Sequence, residues 1–484
     1  MERLNIIPYP NTVEYLGNNI PASDINIGSS SIHITDDIKN PEGYELSIAQ
    51  GSIKINAGGK AGAFYAKQTL RQLSATGDGN LPCVVIQDEP AFSYRGFMLD
   101  SVRHMTALED VKKLIDAAAL LKLNVMHWHL TDDQGWRIEI KGHPRLVEIG
   151  SKRPGSDFGN VHSRDEYGGY YTKAELCGIV DYCAKRHIEV IPEIDMPGHM
   201  TAAIASYPKI SCRGEQIPVE TRQGIFPDIL CAGKEETFEL IFDVLREVMD
   251  IFPSKYIHIG GDEAPKKRWK ECRSCQNLMA ELKLNDEEEL QGWFMNRIAD
   301  FLRENGRSAV AWNESLKSCL LNEDVTVQMW MDRKKLCVDY ANRGGSIIVS
   351  PFYYYYTDYP YGMTPLNKTY NFNPCLKGIL PQNLCRIAGV EAPVWTEHIR
   401  DFNRLCYLAY PRFAAVAETG WTLAENKDTE DFLRRAEKLI PQLEAAGITP
   451  ASPAQWNPNP WQRLVQTVKF YRGILTKDMI KGYD

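Results

Sequence analysis

The sequence His258-Ile-Gly-Gly-Asp-Glu263 sets two glycines and two adjacent carboxyl groups directly after a short apolar run. The glycines let the backbone bend and a ligand come close, and acids at a strand end are placed for proton transfer. An isolated Gly-Asp is commonly a turn with a solvated acid; the position at a predicted strand end points instead to chemistry. Where two carboxyl groups cleave a glycoside in the usual way, they flank the sugar at roughly 5 to 9.5 Å from each other. Neighbours on one backbone are awkwardly placed to bracket a ring. Asp262 and Glu263 therefore suit a substrate that supplies its own nucleophile, one carboxyl acting as acid and the other orienting the internal group and stabilising its charge.

Trp312, Trp330 and Trp395 close other apolar runs, each with an acid or amide nearby in Glu314, Gln328 and Glu397. Taken singly, such tryptophans more often pack a core. Three converging on one face suit an aromatic box around a compact ligand, with polar groups on its rim. A rival chemistry starts from His127-Trp-His129, because histidines at i and i+2 of a strand point to one side and hold catalytic zinc in some barrels. With His199 and His258 also present, a metal-dependent hydrolase stands as an alternative that leaves the tryptophans unexplained. A sugar-binding protein without catalysis would keep the tryptophans but need neither Asp262 nor Glu263.

Twelve cysteines in 484 residues are too sparse for a disulfide scaffold, so reduced and mostly buried thiols are the plain reading. Only Cys272-x-x-Cys275 has metal-like spacing. Cys212 and Cys231 are the nearest upstream cysteines, able to complete a four-thiolate zinc site or to form disulfides, with no catalytic role.

The elements that must position these residues repeat one pattern: an apolar run of five to nine residues, ending in polar or aromatic groups, most followed by a helical stretch. The runs are Tyr94–Asp100, Asn124–Leu130, Ile188–Asp195, Tyr256–Gly260, Ser308–Asn313, Val325–Trp330, Ser346–Ser350 and Ile387–Trp395. Eight strands interleaved with helices such as Glu109–Lys122 and Lys173–Arg186 predict an α/β fold, a (β/α)8 barrel, whose active site is built at the strands' C-terminal ends. Ahead of it, short alternating runs (Ile25–Ile27, Tyr44–Ile48, Ser52–Asn56) and a helix near Ala61–Leu73 predict a small α+β domain over 1–90. Gln87–Ser93 reads as a linker, 91–425 as the barrel closed by helices over Leu405–Thr422 and Thr429–Ala446, and 426–484 as a helical extension packed on it.

Composition sets the outer bounds. The chain is 44% hydrophobic and carries 55 Lys+Arg against 63 Asp+Glu, a formal charge of −8 without a basic block. Neither nucleic acid nor an anionic membrane surface fits that balance, whereas a neutral substrate does. No window approaches 18 consecutive apolar residues, and the start at Met1 lacks the apolar core of a signal peptide, so the chain as written reads as cytoplasmic. A secreted or periplasmic protein with its leader removed would read the same way.

In their order along the chain, Arg103, the His258–Glu263 motif and Trp395-x-Glu397 resemble the family 20 glycoside hydrolases, the β-N-acetylhexosaminidases. The resemblance covers about Tyr94 to Trp421, and the first domain looks like the small domain that precedes the barrel in that family. It implies exo-acting removal of terminal β-linked GlcNAc, and of GalNAc, from a glycan or amino-sugar oligosaccharide, with retention through an oxazolinium intermediate and with no metal or organic cofactor. It further implies that Glu263 is the general acid and base, that Asp262 orients the acetamido nitrogen, and that Tyr356 holds the acetamido oxygen. By the same resemblance Arg103 binds the hydroxyls at C3 and C4, and Asp358 and Glu397 accept from those at C4 and C6. Trp312, Trp330 and Trp395 box the acetamido group and ring, and His199 with Asp132 tunes the acid. One departure stands out: family members often carry a further tryptophan after the Tyr-x-Asp pattern, where this chain has only aromatics such as Tyr361, Tyr370 and Phe372. Relatives specialised for lacto-N-biose or sulfated sugars are the alternative within the family.

Overall fold

The computed structural model describes residues 3–17, 19–22, 30–77, 79–158, 161–331 and 334–474. Eight parallel strands close a barrel in chain order: β1 (Tyr94–Asp100), β2 (Val125–His129), β3 (Glu189–Glu193), β4 (Tyr256–His258), β5 (Ser308–Trp312), β6 (Thr326–Met329), β7 (Ile347–Val349) and β8 (Ile387–Val394), with β8 pairing back onto β1. Each falls inside one of the eight apolar runs. These runs are mostly apolar because both strand faces are covered, one by the barrel interior and one by helices; all seven residues of β1 are buried. The surrounding helices show a single apolar face, as in Glu235–Ile251, where Phe238, Ile241, Val244, Leu245 and Val248 turn inward.

The barrel interior is layered. A small apolar cluster of Tyr94, Val125, Ile191, Val310 and Ile348 fills its lower part. Further along the same strands the interior becomes polar, with His127, Glu193, His258, Gln328 and Glu391 all buried. The charge therefore lies directly beneath the C-terminal mouth.

The N-terminal sheet has the order Thr12–Tyr15, Val84–Asp88, Tyr44–Ala49, Ser52–Ala57, Ser31–Ile34, antiparallel except for its last pair, with the helix Lys60–Thr76 on one face. Ile25–Ile27 lies outside the described residues. Asp88 fastens this unit to the barrel: its carboxylate accepts from Tyr44 Oη at 2.6 Å, Lys122 Nζ at 2.9 Å and Trp421 Nε1 at 2.9 Å. Gln87 and Asp88 thus belong to a strand, and the expected linker shortens to residues 89–93.

The single helix expected over Leu405–Thr422 is two, Phe402–Ala409 and Arg412–Trp421. Pro411 has no N–H to donate and holds Tyr410 extended, which ends the first helix. Thr429–Ala445 then packs on the second through a bidentate pair, Arg435 Nη1 and Nη2 to Glu418 at 2.6 and 2.7 Å, both side chains fully buried. A last helix, Pro460–Ile474, reaches back over the barrel mouth. No helix among the described residues is long and apolar enough to cross a membrane.

Candidate active site

A cavity of about 240 Å3 opens at the C-terminal mouth. Asp262 and Glu263 enter it from the turn after β4. Gly260 (φ 66°) and Gly261 (φ 100°) make that turn; a Cβ on the first would lie 1.6 Å from Asp195 Oδ1, and on the second 2.2 Å from Ser315 Oγ. Only glycine fits either position. Glu263 itself (φ 41°) and His199 (φ 53°) sit in the left-handed region, an unfavourable backbone for such residues that concentrates at functional sites.

His199 joins the two carboxyl groups. Its Nε2 lies 3.6 Å from Glu263 Oε2 and 3.8 Å from Asp262 Oδ2, while its Nδ1 faces Asp132 Oδ1 at 3.2 Å and Asp133 Oδ2 at 3.1 Å. Burial alone would push this imidazole down, but Asp132 and the neighbouring acids hold it well above its ordinary value as a cation. Asp262 behaves oppositely. Burial, opposed by His199 and reinforced by Glu263, lifts it to about 7, and its Oδ1 is buried without a protein partner. An acceptor of that kind is open to a donor from solvent or from a ligand. The backbone N–H of Glu263 is held by Glu314 Oε2 at 3.1 Å.

Arg103 occupies the opposite end. Nη2 contacts Asp132 Oδ2 at 2.7 Å, Nη1 meets Asp100 Oδ2 at 3.3 Å, and Nε donates to Gln134 Oε1 at 2.9 Å. Asp132 therefore bridges Arg103 to His199, and two cations hold its carboxyl far below the usual range against the cost of burial. Glu397 Oε1 lies 3.8 Å from Arg103, and burial raises its carboxyl. Asp358 is pushed to about 8 by burial and then by Glu397, with Oδ1 unpartnered.

The aromatic wall consists of Trp330, Tyr356, Tyr359 and Trp395. Tyr356 lies nearly parallel to Trp330 with centroids 6.3 Å apart, and 6.2 Å from Trp395. Burial keeps its hydroxyl protonated, a donor facing the cavity. Trp312 is placed differently from its two counterparts: it does not line the cavity, is 1% exposed, and donates from Nε1 to Glu193 Oε1 at 2.7 Å. It is in register with Gln328, two residues before Trp330, so it sits roughly 6 to 7 Å lower and backs Trp395 at 6.0 Å.

His127 and His129 lie below the cavity. His127 Nδ1 is 3.0 Å from Glu391 and Nε2 3.2 Å from Glu193; His129 pairs with Glu193 through Nδ1 and lies 3.0 Å from Asp132 Oδ2 through Nε2. Burial would lower both, yet Glu391 and Glu193 lift His127 to about 9, and Glu193 with Asp132 lifts His129 to about 10. His127 Nε2 makes no hydrogen bond, and with Glu193 and His258 it offers ligand atoms within 4.8 Å of one another, but these three residues are buried beneath the cavity and do not line it, so the zinc-hydrolase alternative has no open metal position facing a substrate there.

All the other site residues named from the sequence (Arg103, Asp132, His199, Asp262, Glu263, Trp330, Tyr356, Asp358, Trp395 and Glu397) meet in this one cavity. Sequence reasoning missed Tyr359, His398, the segment Gln223–Ile225 and Phe470, which also line it, as does Asp195, a strand-end acid given no role from the sequence. Asp195 ends the third apolar run and carried a visible signal. Buried and held well above the usual range by burial and Asp262, it accepts from Gly261 N–H at 3.2 Å. Phe470 comes from the final helix and carried none. Tyr361 and Tyr370 do not supply the missing aromatic wall, since their hydroxyls bond Tyr410 O and Glu418 in the interior.

A family model described as glycosyl hydrolase family 20, catalytic domain, matches residues 92–424, and one for domain 2 of that family matches residues 22–89. A beta-hexosaminidase of Porphyromonas gingivalis is 40% identical over 428 residues, covering 84% of this chain and 54% of that protein, so the chain spans about half its length. A beta-hexosaminidase of Akkermansia muciniphila is 36% identical over 410 residues, covering 81% and 82%. Among solved structures, a family 20 exo β-N-acetylglucosaminidase from Vibrio harveyi in complex with N-acetylglucosamine superposes with a TM-score of 0.83 at 30% identity, over 94% of this chain and 79% of that one.

Proposed function

The chain belongs to glycosyl hydrolase family 20, and we propose that it is an exo-β-N-acetylhexosaminidase, releasing single terminal β-linked GlcNAc and GalNAc units from oligosaccharides by a retaining, substrate-assisted reaction. One observation carries this reading: Asp262 and Glu263 reach the same imidazole nitrogen at 3.8 and 3.6 Å. Two carboxyl groups from adjacent residues of one turn that share one imidazole suit an acid beside an orienting group better than a pair bracketing the ring, so in this reading the nucleophile comes from the substrate. The relatives' names, and the N-acetylglucosamine in the Vibrio harveyi structure, agree with a 2-acetamido sugar.

In this reading the sugar enters with its non-reducing end toward Arg103, Asp358 and Glu397, which fix its hydroxyls. The guanidinium fork suits a vicinal pair. Tyr356 donates to the acetamido oxygen and Asp262 accepts the acetamido N–H on its free Oδ1, turning that oxygen toward the anomeric carbon. Glu263 gives its proton to the glycosidic oxygen as the ring closes to the oxazolinium, then takes one from the water that opens it. Deprotonated Asp262 stabilises the positive charge meanwhile.

The test is to compare p-nitrophenyl β-GlcNAc with p-nitrophenyl β-glucoside under identical conditions. The glucoside has no internal nucleophile, so its kcat/KM should be lower by orders of magnitude. Comparable values would defeat substrate assistance.

A further inference from the structure

Away from the cavity, four cysteines converge: Cys212 and Cys231 from the segment after β3, and Cys272 and Cys275 from the segment after β4. Their sulfurs all lie within 4.8 Å of one another. Three separations are 3.6 Å (Cys231 to Cys275), 3.7 Å (Cys231 to Cys272) and 3.9 Å (Cys212 to Cys275). A disulfide needs about 2.05 Å. Four thiolates at about 2.3 Å from a tetrahedral Zn2+ stand about 3.8 Å from each other, and the three separations cluster around that edge length.

The surroundings are built for thiolates. Cys272 is the N-cap and Cys275 lies in the first turn of the helix Arg273–Leu282, where free N–H groups and the helix dipole favour negative charge. A Cβ on Gly233 would fall 2.3 Å from the backbone carbon of Ser274 and 2.5 Å from Cys275 N, so glycine alone lets the two cysteine-bearing segments meet this closely. Three of the four thiols are buried and Cys212 is partly so. We propose that Cys212, Cys231, Cys272 and Cys275 bind one structural Zn2+, taken up as four thiols lose four protons to give a closed tetrathiolate centre without an open catalytic position.

The location gives the ion a task. Residues 213–230 contain no helix or named strand, yet Gln223, Gly224 and Ile225 within them form part of the cavity wall. Cys212 and Cys231 close that segment at both ends, and Cys272 and Cys275 tie it to the turn carrying Asp262 and Glu263. Trp269 Nε1 to Leu230 O (2.8 Å) and Arg268 Nε to Asp228 Oδ1 (2.9 Å) join the same two segments. The ion would hold the pocket wall in place and take no part in bond cleavage.

The test uses the full chain, tag removed, purified without chelator from zinc-supplemented cells, with metals read by mass spectrometry. The expected result is one zinc per chain, retained through EDTA dialysis and released when a mercurial titrates the thiols. Cys272→Ser/Cys275→Ser should reduce zinc to background and speed proteolysis within residues 213–230, while Asp132→Asn/His199→Gln should keep the zinc, separating this centre from the active-site acids. Zinc below a tenth of an equivalent in the wild-type chain, iron in its place, or mapped disulfides among these cysteines would overturn the assignment. The wild-type metal content decides even if the cysteine variant fails to fold, and it does so whether or not the proposed hydrolase activity is found.

Discussion

Replacing Asp262 by asparagine should move activity and stability in opposite directions. The carboxyl titrates near 3.8 when exposed and near 7 in the folded site, raised by burial and then by Glu263 despite His199. A carboxyl raised on folding binds its proton more tightly in the native state. Its contribution is therefore favourable while both states are protonated, is lost as pH rises through the window from about 4 to 7, and stays lost above it. At pH 8 the deprotonated site carries a penalty on the order of 4 kcal/mol, which asparagine removes while keeping the shape. The carboxyl makes no hydrogen bond through Oδ1 that the amide would break. Asp262→Asn should thus melt higher than wild type at pH 8 and close to it at pH 4. In the reaction the amide cannot carry the negative charge that stabilises the oxazolinium, so kcat on p-nitrophenyl β-GlcNAc should fall by about 10²- to 10³-fold, the loss typical of one preorganised electrostatic partner. Melting followed by circular dichroism at both pH values, beside initial rates, reads both effects. An unchanged difference in Tm between pH 4 and pH 8, or a kcat loss under tenfold, refutes the reasoning.

Three further perturbations probe other parts of the site and fold. Glu263→Gln should lower kcat/KM on a GlcNAc disaccharide by about 10²- to 10⁴-fold but much less on a dinitrophenyl glycoside, whose leaving group needs no proton; equal losses on both would exclude Glu263 as the acid. Arg103→Lys replaces a fork contacting Asp132, Asp100 and Gln134 with a single ammonium, and kcat/KM should drop about 10- to 100-fold, as expected for a lost charge-assisted hydrogen bond; a 3-deoxy substrate should lose far less in the variant than in wild type. Arg435→Met strips the partner from Glu418, which also accepts from Tyr9 N–H and Tyr370 Oη, and should destabilise the chain to urea by about 3 to 5 kcal/mol with kcat unchanged.

The barrel was legible because each strand is buried on both faces and reads as a predominantly apolar run, and because polar groups gather where the mouth begins. The same rule exposed Asp262, Trp330 and Trp395 as strand-end groups. It said less about depth. Trp312 also ends a strand, but its register with Gln328 sets it under the cavity, and register is fixed by pairing and not by the local sequence. Gln223–Ile225 and Phe470 were invisible for another reason. They lie in an irregular segment and a remote helix whose positions depend on contacts with distant parts of the chain, such as Gly362 N–H to Gln466 Oε1 at 2.8 Å and Arg463 Nε to Gly362 O at 3.1 Å. The break at Pro411 was readable from residue type alone, since a proline without an N–H follows Tyr410 inside the expected helix.

Charge placement links the floor of the barrel to the reaction. Two carboxylates, Glu193 and Glu391, and two protonated rings, His127 and His129, neutralise each other under the cavity. Asp132 extends that chain upward by touching His129, His199 and Arg103. His199 is consequently held as a cation facing Asp262 and Glu263, and it opposes the burial that lifts Asp262. Without that cation burial would push Asp262 further up, leaving it protonated and unable to accept the acetamido N–H as an anion. Of the histidines that first suggested a metal site, His129 thus acts through electrostatics: it joins Arg103 and His199 in keeping Asp132 ionised, Asp132 in turn keeps His199 charged, and His199 opposes the burial that raises Asp262.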